Sequence, residues 1–146
     1  MKSIWQGDAR RELCQRLGRL TPASRPLWGR MSALQMVAHL ADSTRMVLGD
    51  VPVCSKHLPL RFTPIKQLFI YWLPFPRNVS TSPERVARTP LDWAAECASA
   101  EGLLNTLATT TNANRPEHPV FGRMSDRAWG VFVYRHFDHH LRQFGV

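Results

Sequence analysis

"SDRAWGVFVYRHFDHHLRQF" (Ser125 to Phe144) decides how this chain folds. Trp129, Phe132, Val133 and Phe144 recur at helical spacing, and His136, His140 and Gln143 fall on the same stripe. Ser125 is a capping residue and Asp126 an acid in the first turn, where the helix dipole favours it. The spacing therefore predicts a helix from Ser125 to about Phe144. Histidines four residues apart on a helix share a face, and here they take positions where core side chains belong. Buried ring nitrogens without partners cost roughly 1–3 kcal/mol each. Either one or both imidazoles are neutral core residues bonded to a neighbouring carbonyl, or they lie at a bundle edge, or one ion satisfies several of them together.

A third imidazole favours the shared ion. "MSALQMVAHLADSTRMVLG" predicts a helix capped by Ser32 and stopped by Gly49, with Gln35, His39, Asp42 and Met46 on a line beside the stripe of Leu34, Ala38, Ala41 and Arg45. The "GRMS" before this helix recurs before the last one, so each starts at a serine. His39 then falls seven residues past its serine, and His136 and His140 eleven and fifteen past theirs. At about 100° per residue these offsets are near whole turns, so the histidines project from similar sides.

Two further helices complete the pattern. One runs from about Asp8, as N-cap, to Leu20, with Leu13, Leu17 and Leu20 on one face and "TPASRP" ending it. The other starts near Pro90 or Leu91, with Thr89 as cap, and runs to about Ala108, its core edge formed by Trp93, Cys97, Leu104 and Leu107. Between the second and third predicted helices lie about forty Pro-rich residues, Asp50 to Arg88, too long for a simple loop. There "PIKQLFIYWLP" reads as a short helix capping one end of a bundle, and "FPRNVSTSPERVART" as extended chain. The expectation is all-α, a single four-helix-bundle domain over residues 1–146, with a long Pro-rich crossover between helices 2 and 3.

Composition narrows the function. At 146 residues, 44% hydrophobic and 21% charged, the chain has the make-up of one globular domain. Its net charge of +8 is scattered, as in Arg10 with Arg11 and Arg85 with Arg88, without a recognition motif. Nucleic acid is therefore not expected as a partner, and an anionic small-molecule substrate is. Cys14, Cys54 and Cys97 are odd in number and widely spaced, which argues against a disulfide framework. "CSKH" (Cys54 to His57) lacks a second half and reads as accidental. No stretch reaches the ~20 apolar residues of a membrane span, no secretion signal is read, and a cytoplasmic location is expected. The aromatic run around Phe69, Tyr71 and Trp72 suits either homodimerisation or a lid on the core.

Three imidazoles and an open fourth position make a catalytic zinc site, and the same ligands suit nickel, iron or copper. Asp42 and Gln143, each three residues past a histidine, are candidates to orient those ligands or bound water. His139, about 100° from His140, falls at the rim, and Asp138 reads as a surface acid or a partner of Arg142.

"MSALQMVAHLADS", "LPFPRNVSTSPE" and "HPVFGRMSDRAWGVFVYRHFDHHLRQFG" together resemble the DinB/YfiT-like metalloenzyme superfamily, in the branch that ends H-x-D-H-H-L-R-Q-F-G. The likeness extends from about Arg11 onward. It implies up-down-down-up topology and a divalent metal, zinc or nickel, held by one histidine of the second helix and an H-x-x-x-H pair of the fourth: His39, His136 and His140. Activity in the wider superfamily includes thiol transfer. The expected function is a metal-dependent hydrolase or thiol S-transferase that activates a water or thiol for a small-molecule substrate, anionic or thiol. The alternative is a non-catalytic bundle that binds a metal or small ligand.

Overall fold

The computed structural model describes residues 1–52, 59–77, 90, 92–110 and 115–146. Among these the chain is all-helical, with no strand and a single isolated bridge between His118 and Gly122. The helices are α1 (Gly7–Leu17), α2 (Ala33–Leu48), α3 (Ile65–Tyr71), α4 (Trp93–Thr109) and α5 (Asp126–Gln143), with a 3₁₀ turn at Pro59–Arg61. Cys54 and His57, Thr89, and the stretch 78–89 expected to be extended lie outside the described residues.

Local chemistry sets most helix ends. Ser32 and Ser125 take nearly the same extended backbone, and each side chain accepts from the N–H three residues on, Gln35 and Ala128. In α2 the Gln35 side chain also accepts from the Ser32 N–H, which completes a capping box. Gly49 closes the same helix at φ +91°, with its N–H on the Met46 carbonyl and the Asp50 N–H on that of Arg45. Only glycine adopts this left-handed C-terminal turn at no steric cost.

Two expected boundaries are corrected. Helix α1 starts one residue before Asp8, which lies inside the first turn instead of capping it, and Gly18 ends the helix at Leu17; Leu20 is buried beyond it. Helix α4 starts at Trp93, not near Pro90, because the Asp92 carboxylate accepts from the Ala95 N–H at 2.9 Å and takes the cap.

Helices α1 and α2 each pack against both α4 and α5, and α3 packs against α5. The core between them is built on Leu13, Met36, Leu40, Leu104, Leu107, Trp129, Phe137 and Leu141, all at most 1% exposed. Of the edge expected on α4, Leu104 and Leu107 are buried, while Trp93 and Cys97 only flank the core; Glu96 is buried beside them.

Two attachments place α5. The N-terminal segment lies across its start: the Ile4 N–H donates to the Gly130 carbonyl at 3.1 Å, and the Trp5 indole N–H to that of Asp126 at 3.0 Å. A Cβ on Gly130 would sit 2.2 Å from the Trp5 Nε1, so glycine is what lets the two segments touch. Further along, the Arg135 guanidinium donates to the carbonyls of Phe69, Ile70 and Leu73, satisfying the end of α3 and fixing that helix against α5. The aromatic run is thereby divided. Phe69 and Tyr71 pack against the core, whereas Trp72, with Ile65 and Leu68, is exposed.

Candidate metal centre

α2 presents His39 inward, and α5 presents His136 and His140 from the face it turns toward α2. The ligand nitrogens of these residues all lie within 4.8 Å of one another, and no other such group of His, Cys, Asp or Glu occurs among the described residues. His39 Nε2 is 3.1 Å from His136 Nε2, and His140 stacks edge-on to both rings at 4.8 Å between centroids. With bonds of 2.0–2.1 Å, a tetrahedral zinc site separates its nitrogens by about 3.3 Å. The His39–His136 separation is close to that value, and the group could hold a metal ion.

His39 and His140 are 8% and 7% exposed, and His136 is partly buried. Burial lowers the His140 pKa to about 4; its bond to Gln143 opposes the shift and neighbouring His139 adds to it. His140 is thus neutral at physiological pH, the form that binds metals.

Gln143 fixes which nitrogen is free. Its Nε2 donates to the Trp28 carbonyl at 2.7 Å, which turns its Oε1 toward His140 Nδ1, 2.9 Å away. An amide oxygen only accepts, so Nδ1 carries the proton and Nε2 keeps its lone pair for the cluster. Gln143, a candidate to orient a ligand, is thus the hydrogen-bond partner of His140. The Asp42 carboxylate accepts from Arg45 Nη1 at 2.7 Å, and Arg45 Nη2 donates to Ser99 Oγ at 2.6 Å, so this pair ties α2 to α4. Asp138 is held by Arg142, as expected, and also by Arg16 at 2.7 Å.

His139 is close to the cluster but not within it. Its ring lies 5.1 Å from that of His140, and 5.9 and 6.1 Å from Phe75 and Trp28, at the rim. Burial lowers its pKa, the nearby Arg77 charge lowers it further, and Asp138 opposes both. Phe132 stacks on His136 with rings 5.8 Å apart and 18° from parallel, closing the cluster on the core side. The buried His118 supports Phe132 from behind, its ring 4.7 Å away and its Nδ1 accepting from the N–H groups of Val120 and Phe121. Trp28, Phe75 and His118 carried no signal in the sequence, since they lie in segments without periodicity.

The chain matches, over residues 5–145, the model of a family described as a protein of unknown function, DUF1569. It belongs to that family. No curated protein and no solved structure matches it. The DUF1569 match spans the elements that carry the histidines, α2 and α5, and the aromatic residues around them. Three imidazoles without a carboxylate form a borderline-soft donor set, and this group could hold a metal ion. No helix among the described residues is long and apolar enough to cross a membrane.

Proposed function

We propose that this DUF1569 protein is a metal-dependent enzyme in which His39, His136 and His140 hold a divalent ion, zinc or nickel, on a DinB/YfiT-like four-helix bundle of up-down-down-up topology with a Pro-rich crossover after its second helix. The observation that carries the reading is the convergence of three ring nitrogens, from helices far apart in sequence, at one buried point. A bound ion there supplies Lewis acidity and brings the pKa of a coordinated water or thiol toward neutrality.

The chain's own residues do the rest. Gln143 holds His140 in the tautomer that offers Nε2. Phe132 stacks on His136 and covers it on the core side, and Phe75, in contact with both, borders the rim with His139. His136 is only partly buried, which supports access for a ligand from that rim. The reading is a hydrolase or thiol transferase for a small-molecule substrate, working in the cytoplasm, where the free Cys14 and Cys97 stay reduced.

The test is to load the protein with zinc, nickel or cobalt and screen ester and amide hydrolysis and thiol transfer. Azide or a thiol entering the cobalt coordination sphere, with turnover lost in His136→Ala, is the expected result. A metal-loaded protein whose spectrum neither anion alters is a closed structural site and overturns the catalytic reading in favour of a non-catalytic metal-binding bundle.

A further inference from the structure

A run of rings leads from the cluster to the surface. His140 touches His139 at 5.1 Å, His139 meets the edge of Trp28 at 6.1 Å, and the Arg77 guanidinium lies over the Trp28 ring at 4.2 Å. Stacking on a ring face leaves the in-plane N–H edges of a guanidinium free to donate. Arg77 is exposed, and among the described residues it has no carboxylate partner. The acids on the neighbouring elements are engaged elsewhere: Asp138 with Arg16 and Arg142, and Asp42 with Arg45. Trp28 is fixed in turn, because its carbonyl accepts from Gln143 and the Leu27 N–H donates to the Gln143 carbonyl at 2.7 Å. One residue, Gln143, therefore positions both a candidate ligand and the shelf on which the cation rests.

We infer that Arg77, stacked on Trp28, is the specificity-determining residue at the mouth of the three-histidine centre, and that the small molecule entering there is an acid whose carboxylate or similar anionic group docks on this guanidinium. The inference rests on the metal-centre reading and adds to it the charge of the substrate. Planar, bidentate recognition of an oxyanion is what an arginine fork does and what a lysine does only in part.

The probe is a homologous series of ω-mercaptoalkanoates, each compared with the mercaptoalkanol of equal length, titrated into the cobalt-loaded protein and followed by the thiolate-to-cobalt charge-transfer band. At the chain length that reaches Arg77, the carboxylate binds about fivefold tighter than the alcohol, as a partly exposed ion pair does. The advantage shrinks with added salt, disappears in Arg77→Gln, and is partly kept in Arg77→Lys, while the alcohols bind all three proteins alike. An acid no better than its alcohol at every length, or an advantage that survives Arg77→Gln, overturns the inference and leaves the metal centre standing. A protein that takes up no cobalt overturns both.

Discussion

Acid should destabilise the metal-free protein through His140, by an amount that follows from its burial. In the unfolded chain the imidazole titrates at about 6.5, and in the folded protein burial lowers its pKa to about 4. The unfolded state then binds a proton that the folded state refuses. The contribution is absent above about pH 6.5, grows as pH falls toward 4, and levels off below. A displacement of this size corresponds to about 3 kcal/mol when complete and about 2 kcal/mol at pH 5. That is a large share of a small domain's stability. The assay is urea unfolding of metal-free protein at several pH values, followed by tryptophan fluorescence, with His140→Leu alongside. The wild type should lose about 2 kcal/mol more than the variant between pH 7.5 and pH 5. Parallel curves for the two proteins would show that His140 is not held neutral by its surroundings. Saturating zinc should deepen the acid sensitivity, since protons compete with metal for the same lone pairs.

Gln143→Leu removes both the acceptor for His140 Nδ1 and the donor to the Trp28 carbonyl, and metal affinity should fall roughly 10- to 100-fold in a competition titration with a chelator. His139→Ala, which alters a ring at the rim, should leave metal stoichiometry unchanged by elemental analysis; a loss equal to that of His136→Ala would contradict the geometry of the α5 face. Gly130→Ala should cost about 1–3 kcal/mol in denaturant unfolding, because the new Cβ meets the Trp5 indole at 2.2 Å.

The parts of this fold that could be read from sequence are those written in short-range chemistry. Ser32, Gly49 and Ser125 act on neighbours within five residues, so their roles follow from local spacing. The His136/His140 pair is legible for the same reason. At α4 two residues offer a cap within one short stretch, and Asp92, three residues before the Ala95 N–H, takes it in place of Thr89. What the sequence could not display is contact between distant segments. Nothing near Arg135 announces that it closes the end of α3 some sixty residues earlier, since an arginine's carbonyl partners leave no periodic trace. The same holds for Trp28, joined to Gln143 across most of the chain, and for His118, which supports Phe132 from a turn.

Such contacts also set the outline of the candidate centre. Its donors sit on regular helices and repeat in register, whereas its rim is built from Trp28, Phe75 and Arg77, from segments outside the long helices, brought together only by the tertiary structure. Charge follows the same division. The net +8 describes the whole surface, but the guanidinium that bears on the site is one cation stacked on one indole.

Whether His39 and the α5 pair act on a common ion is answered most directly by titrating metal-free protein with cobalt and comparing His39→Ala, the change on the other helix. Convergence predicts one tightly held ion per chain with a tetrahedral visible spectrum, and loss of that spectrum in the variant. A wild type that binds no stoichiometric cobalt, or a variant whose spectrum and affinity match it, would contradict the account.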